Sequence, residues 1–249
     1  MNAAIKRYTP FALSLGGGLA LWEIVGRHTS AAFLVPLSAT LERLVQLVET
    51  GRLVELFLSS ASLFATGFVA AVVVGMPLGL LLARVRVLRE ALDLYIMILY
   101  ATPMVALIPF ILSLLGFGFV PKALVVFLFA VFPILYNTVE GARSIKPELI
   151  EVARSYRSGE WAVWREVMVP YTLPYTMTGV RQAIARALVG MVAAEFFLSS
   201  SGLGGLIMTA SQSFDTAGVF AAMLIIGVLG VALTRIGTLL EAHFARWRE

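Results

Sequence analysis

Few residues of this 249-residue chain are of types that perform covalent chemistry. The chain has no cysteine, which excludes disulfides, thiolate metal sites and a cysteine nucleophile. Its two histidines, His28 and His243, lie near opposite ends of the sequence, so a Ser/His/Asp triad or a histidine-rich metal site is hard to build. No Gly-x-x-x-x-Gly-Lys-Ser/Thr loop for ATP phosphates is present. We therefore expect no catalytic centre, metal or cofactor in this chain.

The residues best suited to recognise another molecule lie in one polar segment, 140–173. Its pattern predicts two short helices on either side of Gly159, a residue typical of helix ends. The first helix carries an apolar stripe at i, i+3, i+4 and i+7: Leu149, Val152, Ala153 and Tyr156. With Trp161 and Trp164, this stripe exceeds what so small an element buries, and exposed apolar surface of this kind marks a partner site. The alternative is a solvated connector whose arginines contact lipid headgroups.

A second group of polar residues lies within otherwise apolar sequence. Gln182 and Arg186 are one helical turn apart and share a face. Arg186 either lines a path that favours anionic solutes or pairs with a carboxylate or backbone carbonyls as a structural group. Glu195 is placed to anchor the irregular segment at Gly202 and Gly204 by accepting backbone N–H bonds, with gating as the alternative role. Small residues along the same segment predict close helix packing: Gly179, Ala183, Ala187, Gly190 and Ala194.

The elements that must position these residues are membrane helices. Hydrophobic residues make up 59% of the chain and charged residues 14%, with a mean hydropathy of +0.90, which leaves too few charges to cover a soluble surface. A bilayer core requires about 20 helical residues per span. We predict one all-α, polytopic transmembrane domain over 1–249, with about six spans near 10–26, 57–83, 94–115, 119–139, 174–198 and 216–240.

The first predicted span resembles a secretory signal peptide in its basic start, but no convincing small-x-small cleavage site follows it. We therefore interpret it as a retained anchor. Six spans place both termini on one side, and fifteen of the 19 Lys and Arg residues lie there, which indicates the cytoplasmic side. The net charge of +4 is then a record of topology, and no nucleic-acid partner is expected.

Two further segments outside the spans have recognisable patterns. Segment 36–50 predicts an amphipathic helix that rests on the outer membrane surface or on neighbouring spans. Its apolar face comprises Leu37, Leu41, Leu44, Val45 and Val48. Segment 196–214 is uncharged but rich in serine and glycine, which predicts a loop with a short helix, partly re-entrant.

In the polar segment, Glu151-Val-Ala-Arg-Ser-Tyr156 is followed by Val167-Met-Val-Pro170. This order resembles the Glu-Ala-Ala loop of bacterial ABC importer permeases. Over residues 33 to 245 the chain is similar to the branch that serves nitrate, sulfonate, taurine and some vitamin-precursor importers. The matching motifs are Ala101-Thr-Pro103, Pro109, Phe132-Pro-Ile-Leu-Tyr-Asn137, Tyr175-Thr-Met-Thr-Gly-Val-Arg181, Ala194-Glu195 and Ser201-Gly-Leu-Gly204. One departure is Arg157, which stands where the family has glycine, with Gly159 two positions later.

The resemblance implies a type I ABC importer transmembrane domain that is a transport subunit and not an enzyme. It implies a bacterial inner-membrane assembly of two copies of this chain, lipid, two ABC ATP-binding subunits that hold the ATP, and an extracytoplasmic substrate-binding protein. The solute expected is a small anion such as a sulfonate, taurine or nitrate, with a vitamin precursor as the alternative. The coupling residues would be Glu151, Ala153, Arg154, Tyr156, Arg157, Gly159 and Trp161. The path or gate would include Gln182, Arg186, Glu195, Gly202 and Gly204.

Two rival functions belong to other classes. A secondary transporter would usually show inverted repeats with broken helices in both halves, and the sequence shows no such repeat. An intramembrane hydrolase would need a nucleophile and a base. The serines at 199–201 offer hydroxyls, but neither histidine is placed near them in the sequence.

Overall fold

The computed structural model describes residues 2–198 and 201–245, and every regular element in those ranges is helical. The α-helices are α1 (Asn2–His28), α2 (Leu37–Glu49), α3 (Arg52–Arg84), α4 (Arg86–Ala101), α5 (Ile108–Leu115), α6 (Phe119–Arg143), α7 (Pro147–Ser155), α8 (Glu160–Val163), α9 (Val169–Leu198), α10 (Gly202–Gln212) and α11 (Thr216–Ala245). A 3₁₀ turn at Met104–Leu107 precedes α5, and a π turn at Trp164–Met168 joins α8 to α9. The all-α prediction is confirmed.

Within the described ranges, α3, α6 and α11 are each long and apolar enough to cross a membrane. Two bent helix pairs raise the number to as many as five if each pair is one span. The first predicted span, 10–26, lies inside the helix α1 but is not in this set.

The span predicted at 94–115 is not one continuous helix. It consists of α4 and the segment from Met104 to Leu115, which bend by 95° relative to each other. The bend lies at Thr102 and Pro103, where both backbones are extended. A residue before proline disfavours helical geometry, and proline itself has no N–H to continue the ladder. Thr102 instead ends α4 by donating both its N–H and its hydroxyl to the Ile98 carbonyl.

The chain divides into two compact units, 60–199 with 228–249 and 1–59 with 200–227. In the first unit, α3 packs on α6 through small residues every four positions, beginning at Gly67. A Cβ added to Gly67 would lie 2.5 Å from Val126 Cβ, and one added to Gly79 would lie 2.7 Å from Thr138 Cβ. Such spacing lets two helix backbones approach closely.

Helix α9 packs on another part of α6, again through small residues. A Cβ on Gly179 would lie 2.8 Å from the Pro133 carbonyl oxygen, and one on Gly190 would lie 2.8 Å from Phe129 Cγ. The other small residues of this stripe are fully buried: Ala183, Ala187 and Ala194. The close packing predicted for this stripe is therefore confirmed, and α6 is the central helix of its unit.

In the second unit, α2 contributes Leu47 and Leu44 to a core that includes residues of α10 and α11. On the predicted apolar face of α2, Leu41, Val45 and Val48 are exposed, whereas Thr40 and Leu47 are buried. The helix has apolar residues on two faces, and the sequence pattern does not distinguish which of them packs against α10 and α11.

An ion pair also holds α2 in this unit. Arg43 Nη2 lies 2.8 Å from Asp215 Oδ2, and Asp215 Oδ1 accepts the Gly218 N–H at 2.9 Å. Asp215 therefore caps the N-terminus of α11, where a carboxylate is favourable.

The segment 196–214 is more regular than predicted. Helix α10 has 11 residues, and its first five are buried. Gly202 has a φ of +80°, which glycine adopts without a steric penalty. The serines at 199 and 200, whose hydroxyls an intramembrane hydrolase could use as nucleophiles, lie outside the described residues.

Candidate functional site

The polar segment folds as helix, tight turn and helix. Helix α7 ends at Ser155, where the Arg157 N–H bonds the Arg154 carbonyl and the Ser158 N–H bonds the Ala153 carbonyl. These two bonds form a Schellman motif, in which the residue after the cap is left-handed. That residue is Arg157, with a φ of +55°.

Arg157 therefore performs the conformational task expected of Gly159. Gly159 has a φ of −68°, precedes α8, and would meet no atom within 4 Å if it carried a Cβ. The prediction that Gly159 ends the first helix is wrong, because the backbone reverses two residues earlier. The left-handed residue coincides with the position at which the resemblance expects glycine.

Four large apolar side chains of this segment face outward. They are Leu149, Val152, Tyr156 and Trp161, which we call the coupling surface. The most exposed are Tyr156, at 83%, and Trp161, at 76%. A groove of about 550 Å³ runs beside Leu149, Val152 and Tyr156. These four side chains are exposed because they lie on the side of the short helices opposite to the residues that pack inward.

The inward side of the segment belongs to a small core with α3 and α6. Val163 and Met168 are buried there, and Ala153 and Trp164 pack against them. Trp164 is therefore half-buried, and it is not part of the exposed aromatic surface that the sequence predicted. One turn of π-helix begins at this residue, where the chain passes from α8 to α9.

Charged groups fix the start of α8. The Arg84 guanidinium donates a hydrogen bond to Glu160, and Arg154 lies 4.0 Å from the same carboxylate. The hydrogen bond and charge of Arg84, with a smaller contribution from Arg154, hold the pKa of Glu160 below its ordinary value. Glu151, in contrast, is exposed on the outer side of α7.

Arg186 lies midway along α9 and contacts the end of α4. Its Nη2 donates to the Tyr100 hydroxyl at 3.2 Å, and its guanidinium carbon lies 5.0 Å from the centre of the Tyr100 ring. None of the ion pairs between described residues includes Arg186. As a structural group, Arg186 is predicted to pair with a carboxylate or with backbone carbonyls. Its observed partner is instead Tyr100, through both the hydroxyl and the aromatic ring.

Gln182 lies one turn before Arg186, also on an exposed part of α9. Its Oε1 accepts a 3.4 Å hydrogen bond from Asn137 Nδ2, which also donates to the Pro133 carbonyl at 2.8 Å. The structure therefore places Gln182 and Arg186 on one accessible side of the helix, as their spacing predicted.

Glu195 is almost completely buried, at 1% exposure. Its two carboxylate oxygens lie 2.7 and 2.9 Å from the Ser60 hydroxyl, which donates to them. Sequence reasoning missed Ser60, because nothing in the sequence distinguishes it from the neighbouring Ser59 and Ser62 in the same apolar segment. Gly202 and Gly204 are buried in the other compact unit.

Residues 75–246 match the model of the family described as binding-protein-dependent transport system inner membrane component. The match covers the polar segment, Arg186 and Glu195. The chain belongs to this family. It is a multi-pass inner-membrane permease of an ABC importer and not itself an enzyme, and such an importer includes ATP-binding subunits and a substrate-binding protein.

Three relatives illustrate the range of named solutes. The riboflavin transport system permease protein RibX of Chloroflexus aurantiacus is 36% identical over 87% of this chain and 81% of its own. The bicarbonate transport system permease protein CmpB of Synechococcus elongatus is 31% identical over 93% and 86%. A Bacillus subtilis permease whose name refers to aliphatic sulfonates is 31% identical over 93% and 84%.

The fold is similar to that of a chain in the MetNI methionine ABC transporter. The TM-score is 0.65 at 18% sequence identity, with 77% of this chain and 95% of the other covered. This likeness confirms the predicted type I importer fold.

Proposed function

We propose that this permease carries a small anionic solute, such as a sulfonate, taurine or nitrate, released to it by the substrate-binding protein. One observation carries the proposal: Arg186 is a cation in the middle of a membrane helix and has no ion-pair partner among the described residues. Charges in such positions are costly and usually mark ion or substrate pathways. The relatives named for bicarbonate and sulfonates support an anion.

We further propose that two copies form the path and that each docks one ATP-binding subunit through the coupling surface. The segment from Glu151 to 163 would be the coupling helix, and closure of the ATP-binding subunits would switch the path between its two open states. Glu195 is proposed to contribute to the path or gate, and so, separately, are Gly202 and Gly204. We also propose that both termini are cytoplasmic. Protease protection of a terminal tag tests this orientation.

The test is uptake into proteoliposomes that contain the complete complex. We expect uptake of an anion to require ATP and to fall at least about tenfold in Arg186→Gln, with Arg186→Lys retaining more activity because it keeps the charge. Transport of that anion with unchanged affinity in Arg186→Gln would refute the role of Arg186.

Two alternatives remain distinguishable in the same assay. A vitamin precursor would be carried whatever the charge of the side chain at position 186. The relative named for riboflavin transport supports this alternative. An ion-coupled secondary transporter would respond to an ion gradient and not to ATP.

A further inference from the structure

A cavity of about 400 Å³ lies where the end of α4 meets α6 and α9. Its volume is within the range of about 300–1,000 Å³ typical of small-molecule sites. Its lining includes two polar groups, Arg186 and Tyr100. Most of the remaining lining is apolar or aromatic, with Met104, Phe129 and Phe132 among its residues.

The polar groups retain donors for a ligand. Tyr100 accepts a hydrogen bond from Arg186, so its own hydroxyl proton is left to donate elsewhere. The guanidinium has five N–H groups in a planar fork, and the hydrogen bond to Tyr100 uses one of them. Thr102 also lines the cavity, but its hydroxyl donates to the Ile98 carbonyl within the helix end.

We propose that this cavity is a subsite for an organic anion, with the anionic head at Arg186 and Tyr100 and an apolar body against the phenylalanines. This inference rests on the anion transport proposed above and adds that the permease itself favours organic anions over compact inorganic ones. A carboxylate or sulfonate can accept two parallel bonds from a guanidinium. A compact oxyanion such as nitrate has no apolar body to bury against the phenylalanines, so it gains less from this lining.

A second cavity that Tyr100 also lines has more acidic than basic side chains. Its volume is about 490 Å³, and three carboxylates and one guanidinium line it: Glu90, Asp93, Glu140 and Arg143. The Tyr100 ring stacks on Tyr136, with 5.8 Å between ring centres. Tyr100 therefore borders both a cationic cavity and an acidic one, and the two provide matched sites for a charge-sensitive probe.

The absence of cysteine in this chain makes that probe simple to introduce. Val189→Cys places a thiol in the cationic cavity, and Met97→Cys places the control thiol in the acidic cavity. The complete complex in nanodiscs is treated with an anionic sulfonatoethyl or a cationic trimethylammonioethyl methanethiosulfonate. Mass spectrometry of this chain gives the labelling rates.

We expect the anionic-to-cationic rate ratio to be about tenfold higher at position 189 than at position 97. Adding Arg186→Gln should remove the difference, whereas Arg186→Lys should preserve it. Equal ratios at the two positions, or no labelling at position 189, would overturn the proposal.

Protection then tests the ligand class. Hexanesulfonate should slow labelling of Val189→Cys at a concentration at least about tenfold lower than nitrate, because its chain buries apolar surface. Equal protection by both ions, or protection by neither, would refute an organic-anion subsite. ATP-dependent uptake of hexanesulfonate is measured on the same purified complex after reconstitution into proteoliposomes. Uptake without protection rejects the subsite alone, whereas protection without ATP-dependent uptake rejects the proposed anion transport.

Discussion

At the residue scale, Arg157 combines a side chain with a backbone conformation that favours glycine. A left-handed conformation costs a residue with a Cβ roughly 1–2 kcal/mol. Arg157 adopts this unfavourable conformation within a Schellman motif, whose two hydrogen bonds stabilise the turn. The exposed guanidinium stands beside the coupling surface, which is where a contact with a partner subunit would use it.

Arg157→Gly should therefore stabilise the turn by about 1 kcal/mol. Amide hydrogen exchange at Ser158, whose N–H closes the motif, should slow by up to about tenfold. Gly159→Ala is the matched control and should leave that rate nearly unchanged, because its φ suits alanine and its surroundings are open. Faster exchange in Arg157→Gly would contradict the assignment of strain.

The buried Glu195 leads to a second residue-scale prediction. Ser60→Ala removes a hydroxyl that donates to both carboxylate oxygens, and the loss should destabilise the permease by about 1–3 kcal/mol. Thermal unfolding of the purified complex measures the effect. Thr66→Ala, which removes an exposed hydroxyl bonded within its own helix, should change stability by less than about 0.5 kcal/mol. Similar melting of the two variants would refute the importance of the Ser60 contact.

At the element scale, α6 is positioned by small residues on the helices that flank it. Gly67 in α3 leaves no room for a side chain, because Val126 and the Ala123 carbonyl occupy the space. The four-residue spacing from Gly67 to Gly79 matches the spacing of their α6 neighbours. The packing of these helices therefore depends on the absence of side chains.

Gly67→Ile should destabilise the permease by about 1–3 kcal/mol through overpacking. Gly227→Ala, at a position in α11 with no atom within 4 Å of an added Cβ, should be neutral or slightly stabilising. Denaturation of both variants in detergent provides the comparison. A Gly67→Ile protein with normal stability would show that α3 and α6 do not pack as described.

The attachment of α8 to α3 depends on pH through Glu160. Because the folded-state pKa is lowered, the Arg84 contact contributes fully above the ordinary pKa of 4.5 and is lost as pH falls through the folded value. Limited proteolysis of the polar segment should therefore accelerate below about pH 4.5. Glu160→Gln should raise cleavage at neutral pH and reduce the acid-induced increase. Identical pH profiles for the two proteins would exclude this contact as the cause.

At the scale of the whole molecule, the coupling surface is the feature that the fold of this chain alone does not explain. Tyr156 and Trp161 are largely exposed on a helix pair whose opposite side already has its own small core. Neither side chain contributes to that core. This exposure is what the docking of an ATP-binding subunit, proposed above, would explain.

Glu151→Lys should uncouple ATP hydrolysis from uptake, reducing transported solute per ATP by about tenfold or more, because it reverses a charge on the docked helix. Assembly measured by size-exclusion chromatography should be at least partly retained. Gly159→Trp should act similarly, since no atom of the chain lies within 4 Å of a Cβ at this position and the added bulk would obstruct a docked partner. Unchanged uptake by both variants would reject the docking site.

Local patterns in the sequence predicted the long apolar helices α3, α6 and α11, the polar segment with its two short helices, and the family. Hydropathy and helical periodicity are properties of residues that are close in the sequence, so these features can be predicted without the tertiary structure. Tertiary structure alone decided the pairing of Ser60 with Glu195 and of Arg186 with Tyr100. It also decided which face of α2 packs against α10 and α11. Each of these depends on how helices rotate and approach one another across long sequence separations, and no local pattern encodes that geometry.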